Sequence, residues 1–139
     1  MVVTGSEREA GAVEIVAGNG RVPALVGVTS LPELAALVER ADVVVCGNTL
    51  PLHLADAMGT PVVGLYAGTD LESQWRPREV PSRLLRVETP CYPCYLIDCP
   101  IGQPCLDIAP EAVVAAVMEL LSPADDVQVR EPAATGGVR

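Results

Sequence analysis

Gly47-Asn48-Thr49-Leu50, with His53 three residues on, holds the densest chemistry in the sequence. It follows Asp42–Cys46, a β-branched apolar run of buried-strand length, and opens a short helical stretch that ends at Met58. A turn leading from a strand into a helix aims unpaired backbone amides, and about half a positive charge, at whatever lies beyond it. Asn48 or Thr49 can cap this helix, and Pro51 falls in its first turn, where a missing N–H costs nothing. Gly59 suits the left-handed residue that ends it, and Pro61 stops any continuation. Thr60–Tyr66 then reads as a second apolar strand, so the unit is βαβ with a parallel pair. Ligands of such sheets sit beyond the carboxyl ends of the strands. The turn is therefore a candidate anion site, and a diphosphate is the obvious anion. The amides of Thr49 and Leu50, the Thr49 hydroxyl and His53 would hold it. An ordinary capped helix with a solvent-facing histidine fits the same spacing.

Three further groups invite a chemical reading. Gly68-Thr69-Asp70 forms another turn at a strand's carboxyl end and can add amide and hydroxyl contacts to the same anion; alone it is an ordinary glycine turn. Glu9 can accept from both hydroxyls of a ribose, since a carboxylate matches a vicinal diol. As a residue of helix entry it serves equally as a capping partner for Ser6. Cys91, Cys94, Cys99 and Cys105 have the spacing C-x2-C-x4-C-x5-C, which suits a tetrahedral zinc site or, less well, an iron–sulfur cluster. Free thiols and two local disulfides fit the same spacing. Cys46, alone in a strand, reads as a small core residue. His53 with Asp56 or Asp70 makes no hydrolase triad, because no serine or cysteine lies in a nucleophile motif.

The elements around these residues alternate. Met1–Gly5 reads as a strand and Ser6–Ala17 as a helix with a Ser6–Glu9 capping box, closed at Asn19-Gly20. Pro23–Val26 is a short strand. A second capping box, Ser30 with Glu33, opens a helix carrying Leu34, Leu37, Val38 and Ala41. After the central unit, Leu71–Ser82 reads as irregular and Leu84–Val87 as an edge strand. Pro110–Leu121 is a helix with Val113, Val114, Val117, Leu120 and Leu121 inward. The expectation is an α/β fold, a parallel, doubly wound, Rossmann-like sheet flanked by helices. One domain would span 1–121, with a cysteine-rich loop at 90–107 and a disordered tail at 122–139.

Size and charge narrow the classes. The 139 residues suit one domain able to bury a core without staples. With only 3% aromatic residues that core must be aliphatic. A net charge of −9 and the absence of any lysine argue against nucleic acid or an anionic membrane as partner. A phosphate must be held by amides, hydroxyls or a few arginines. No apolar run reaches membrane-spanning length and no cleavable signal opens the chain, so a cytoplasmic protein is expected, with the inner face of the membrane as one place for it.

Thr29-Ser30-Leu31, Ala41-Asp42, Asn48-Thr49, His53-Leu54-Ala55, Gly59-Thr60-Pro61 and Gly68-Thr69-Asp70 together resemble glycosyltransferase family 9, the ADP-heptose:lipopolysaccharide heptosyltransferases and their relatives. Pro90-Cys91-Tyr92-Pro93-Cys94-Tyr95, Asp98-Cys99-Pro100, Cys105, Ile108 and Pro110-Glu111 extend the resemblance, which runs from Val2 to Leu121. It implies one half of a GT-B fold, the carboxy-terminal domain that binds the nucleotide-sugar donor, without its first strand. The acceptor-binding amino-terminal domain, with the general base, would lie elsewhere, so no catalytic residue is expected in this chain and the chain alone should turn nothing over. Asn48, Thr49, Leu50 and His53 would hold the diphosphate, Thr29 would lie near the base, and Glu9 (or less well Glu7) near the ribose. The family usually has Asp at the place of Asn48 and Gly at that of Leu50, where a β-carbon would crowd the donor or forbid a positive φ. The family's diphosphate-pairing lysine has no counterpart here. The implied reaction is an inverting, metal-independent transfer of a heptose-like sugar from a nucleoside-diphosphate donor, ADP-type favoured, to a glycan or glycolipid. No cofactor is required, and zinc would be structural. A GT-B nucleotide-sugar epimerase, or a degenerate truncated domain acting as a structural or metal-binding module, is the alternative.

Overall fold

The computed structural model describes residues 1–18 and 20–122. Five strands and five α-helices alternate: β1 Val3–Gly5, α1 Ala10–Val16, β2 Ala24–Val26, α2 Leu31–Glu39, β3 Val44–Gly47, α3 Leu50–Met58, β4 Val62–Leu65, α4 Glu72–Trp75, β5 Ser82–Leu85 and α5 Pro110–Leu121. Every strand pair is parallel. The expected tail falls outside the described residues from 123 onward, as does Asn19.

Local chemistry sets most boundaries. Glu9 Oε2 accepts the N–H and the hydroxyl of Ser6 at 2.8 and 2.7 Å, and Glu33 Oε2 does the same for Ser30 at 2.8 and 2.6 Å. Both capping boxes read from the sequence are thus formed, although the first opens on a 3-10 turn, Glu7–Glu9, before α1 begins. Gly59 ends α3 at φ 79°, a conformation that costs glycine little because it has no β-carbon. In α5 the buried stripe centres on Ala116, with Val113, Val117 and Leu120 half-buried at helical spacing. Val114 and Leu121, expected inward, are exposed because they lie off that stripe.

The core lies between α3 and the sheet β3-β4-β5. Leu52, Ala55 and Val62 are fully buried with Val38 and Tyr66, and Leu34, Val44, Cys46 and Leu84 pack around them. Thr60, the buried polar residue, donates its hydroxyl to the Val38 carbonyl at 2.9 Å, which ties β4 to the end of α2. Burial pushes the Cys46 thiol up to about 11, as befits a small core residue rather than a reactive one.

Three further expectations change. Leu71–Ser82 holds the short helix α4, and the last strand starts at Ser82 rather than Leu84 because the parallel register with β4 pairs Val62 with Ser82 and Leu65 with Leu85. The strands also do not join into one sheet. β1-β2 forms one and β3-β4-β5 another, since β1 and β3 share no ladder. Among the described residues, no helix is long and apolar enough to cross a membrane.

Candidate active site

The carboxyl end of β3 runs through Gly47 and Asn48 into α3. Thr49 stands at the helix's cap position, extended at φ −144° and ψ −172°, yet its hydroxyl caps nothing. The reason lies in the first turn. Pro51 has no N–H to give, and the Leu52 N–H already donates to the Thr49 carbonyl at 3.0 Å. The Thr49 N–H, expected to face an anion, donates to the Gly47 carbonyl at 2.8 Å. Among the described residues this leaves the Leu50 N–H as the first-turn amide without a protein acceptor, and it leaves the Thr49 hydroxyl unspent. Leu50 is helical, so its β-carbon meets no positive φ; its side chain is 53% exposed at the cleft's rim.

Core packing orients α3. Leu52 and Ala55 turn fully inward, which puts His53 on the solvent side. There the His53 ring lies 5.9 Å from that of Trp75, tilted by 58°. Trp75 is held through its neighbours. The Glu72 N–H donates to the Tyr92 hydroxyl at 3.1 Å. The Asp56 carboxylate accepts the N–H groups of Arg78 at 3.0 and 3.1 Å and of Glu79 at 2.9 Å. Asn48, Thr49, Leu50, His53, Asp70 and Trp75 together line an open cleft of about 230 Å³. Beside it, Thr69, Asp70, Tyr95, Leu96 and Ile97 line a second of about 330 Å³, and Asp70 belongs to both. The Thr69 hydroxyl donates to Asp70 Oδ2 at 3.0 Å. The cysteine-rich loop is strapped to this turn, with the Cys94 N–H on the Gly68 carbonyl at 2.8 Å and the Tyr95 N–H on that of Thr69 at 3.0 Å.

Desolvation works against the charge on Asp56, but the N–H groups of Glu79, Arg78 and Val80, helped by the His53 charge, outweigh it and hold the carboxyl below its ordinary range. A carboxyl depressed on folding adds stability above its unfolded value, near 3.9, and that contribution is lost as pH falls through the folded value. The stability gap between the wild type and Asp56→Asn should therefore shrink on acidification below about pH 4. Urea unfolding at a series of pH values measures it; a gap constant across pH would show that Asp56 holds the Arg78 turn by shape alone.

Five of the residues singled out in the sequence thus meet in one cleft: Asn48, Thr49, Leu50, His53 and Asp70. Thr69 joins the neighbouring cleft, and Gly68 lies buried beneath, where a β-carbon would stand 3.5 Å from that of Cys105. Glu9 and Thr29 line neither. Glu9 is spent on Ser6, and Thr29 is half-buried between β2 and α2. The four loop cysteines are not gathered into a metal site. Cys105 is buried against Gly68, Cys91 is exposed beside the Thr89 hydroxyl, and Cys99 accepts the Gln103 N–H at 3.2 Å. Among the described residues, no three His, Cys, Asp or Glu side chains stand close enough to share an ion. Backbone N–H groups, those of Ile101 and then Gln103 foremost, hold the Cys99 thiol below its ordinary value. The sequence reading did not assign Trp75, Tyr95, Leu96 and Ile97 to a site. The one signal for Trp75 was its being the sole tryptophan, in a segment with no apolar periodicity.

The model of glycosyltransferase family 9 (heptosyltransferase) matches residues 1–105. The chain belongs to glycosyltransferase family 9. It is 32% identical over 114 residues to lipopolysaccharide heptosyltransferase 3 of Escherichia coli, in a match covering 72% of this chain and 29% of that protein. It is 44% identical over 43 residues to the lipopolysaccharide core heptosyltransferase OpsX of Haemophilus influenzae, covering 31% of this chain and 12% of that one. The solved structure of a family 9 glycosyltransferase from Veillonella parvula DSM 2008 superposes with a TM-score of 0.72 at 24% identity, covering 86% of this chain and 36% of its own. That likeness shows the fold, α/β of GT-B type. This family 9 chain therefore spans about a third or less of the length of these relatives. Both clefts and all four loop cysteines lie within the part the family model matches, and α5 lies beyond it.

Proposed function

We propose that the cleft at the carboxyl ends of β3 and β4 grips the diphosphate of a nucleoside-diphosphate sugar, and that the chain is the carboxy-terminal donor-binding part of a glycosyltransferase. The observation that carries this reading is the meeting of Asn48, Thr49, Leu50, His53 and Asp70 in one cleft at the amino-terminal end of α3. The Leu50 N–H, the Thr49 hydroxyl and the positive end of the helix favour an anion there. His53 adds a ring donor. The Asp70 carboxylate repels phosphate, so it faces the hydroxyl-bearing part of the donor, for which a carboxylate is the better acceptor. Trp75 offers a flat apolar wall on the side of His53.

The reaction that follows is displacement at the anomeric carbon. An acceptor hydroxyl of a glycan or glycolipid forms the new bond as the bond to the diphosphate breaks, with inversion. Oriented donors at α3 stabilise the departing nucleoside diphosphate, and no divalent cation is required. The heptose-like sugar follows the names of these relatives, and the ADP-type donor follows the family resemblance read from the sequence. The general base belongs to the acceptor-binding domain, so this chain alone binds donor without transferring sugar.

Thermal unfolding with ADP, GDP and UDP tests the reading. ADP at about a hundred times its dissociation constant should add about 2.7 kcal/mol of stability, undiminished by EDTA. No shift with any of the three would remove the donor assignment. A shift confined to UDP would favour the epimerase class.

A further inference from the structure

We infer that the second cleft, between the Gly68-Thr69-Asp70 turn and the cysteine-rich loop, seats the sugar ring of the nucleotide-sugar, with the ring of Tyr95 as its platform. This rests on the donor reading above and adds to it the residues that select the sugar.

The loop presents Tyr95 by force. Tyr95 has φ 54°, in the left-handed region that bulky side chains seldom adopt. Such a conformation persists where the surroundings impose it. Here the N–H groups of Cys94 and Tyr95 are pinned to the carbonyls of Gly68 and Thr69, while Cys105 packs against Gly68. The Tyr95 ring is left 63% exposed at the cleft, with Leu96 and Ile97 beside it. The chain has only four aromatic residues of the Phe, Trp and Tyr kind, and the other three are engaged. Tyr66 lies in the core, Tyr92 carries the Arg86 guanidinium 3.8 Å from its ring centre, and Trp75 lies against His53. Among the described residues, neither a ring nor a cation lies on Tyr95.

The rest of the lining is polar. The Thr69 hydroxyl donates to Asp70 Oδ2, and among the described residues no basic side chain pairs with that carboxylate. A carboxylate only accepts, so its remaining lone pairs take hydroxyl hydrogens and turn phosphate away. A sugar ring matches both kinds of wall, with hydroxyls around its rim and a C–H face to lie on an aromatic ring. Position agrees. Asp70 lines both clefts, so the second receives a group joined directly to the diphosphate held in the first. At about 330 Å³ it stands at the small end of ligand sites, which suits one ring. The base has its own flat wall in the first cleft, the indole of Trp75.

Calorimetric titration of the full chain with ADP, ADP-glucose and ADP-mannose tests this. At least one of the two nucleotide-sugars should bind about tenfold tighter than ADP. Tyr95→Gly removes the platform and suits the left-handed backbone, so the variant should fold and lose that tenfold excess. Tyr95→Phe should keep it, since the ring face and not the hydroxyl carries the sugar. Ile97→Ser, at a position 95% exposed, should show a smaller loss of the same kind, and serves if Tyr95→Gly fails to fold. Nucleotide-sugars no tighter than ADP, or an excess that both variants leave untouched, would overturn the inference with the donor reading intact. Equal losses for ADP and the nucleotide-sugars would put the nucleoside in the second cleft and overturn it too. Binding of none of the three would remove the donor reading, and the inference with it.

Discussion

Leu52→Ala should destabilise the chain by about 2–5 kcal/mol and lower the melting temperature by roughly 10 °C or more. Leu52 is fully buried at the point where α3 meets the sheet, in one cluster with Val38, Ala55, Val62 and Tyr66. A β-carbon on Gly64 would stand 3.1 Å from its Cδ1, so helix and strand approach as closely as a glycine allows. Truncation leaves a cavity that neighbours this tightly held cannot fill, and the cost is lost transfer energy plus lost contacts. A loss of this size is a large share of the net stability of a small domain. Leu50→Ala, two residues earlier on the same helix, is the internal control. At 53% exposure it should stay within about 0.5 kcal/mol. Denaturant titration of both variants decides the matter; equal losses would mean that α3 does not lie on the sheet with Leu52 inward.

His53→Ala should weaken ADP binding by about 10- to 100-fold. Hydrogen bonds to charged groups contribute about 1.5–3 kcal/mol, and each 1.4 kcal/mol is a factor of ten. His53 lines the cleft with a ring that carries a donor and turns outward, placed there because Leu52 and Ala55 turn inward. Trp75 lies against it, so the ring approaches a ligand from a supported position rather than from open solvent. Calorimetric titration with ADP measures the loss. Arg83→Ala is the control, since its pairing with Glu119 at 2.6 Å is exposed on β5 and α5 and lies outside the cleft. An unchanged affinity for His53→Ala would leave the Leu50 amide, the Thr49 hydroxyl and the helix end to hold the anion.

What was legible in the sequence was whatever depends on a few neighbouring residues. Ser6 with Glu9, Ser30 with Glu33, Pro51 and Gly59 each meet their partners within one helical turn, and each is seen where expected. The cleft was legible for the same reason. Asn48, Thr49, Leu50 and His53 share one strand–turn–helix, and Asp70 follows the next parallel strand, whose carboxyl end must lie alongside.

Tertiary structure decided the rest. It spent the Thr49 amide on Gly47 and left the Thr49 hydroxyl without a first-turn amide to accept, because Pro51 and the Leu52–Thr49 bond had removed the candidates. It brought Trp75 to His53 through Asp56 and the turn at Arg78, twenty-two residues apart in sequence. It kept the four loop thiols apart, although their spacing alone permitted a metal site. It divided the strands into two sheets, β1-β2 and β3-β4-β5, because strand pairing is a long-range choice that no strand's own residues record. Capping is local and carries its energy within a few residues, so the sequence by itself determined the order of the strands and longer helices, the two capping boxes and the left-handed end of α3. Strand neighbours, thiol distances and the wall of the cleft depend on which distant surfaces win burial against one another, and only the folded chain settles that competition.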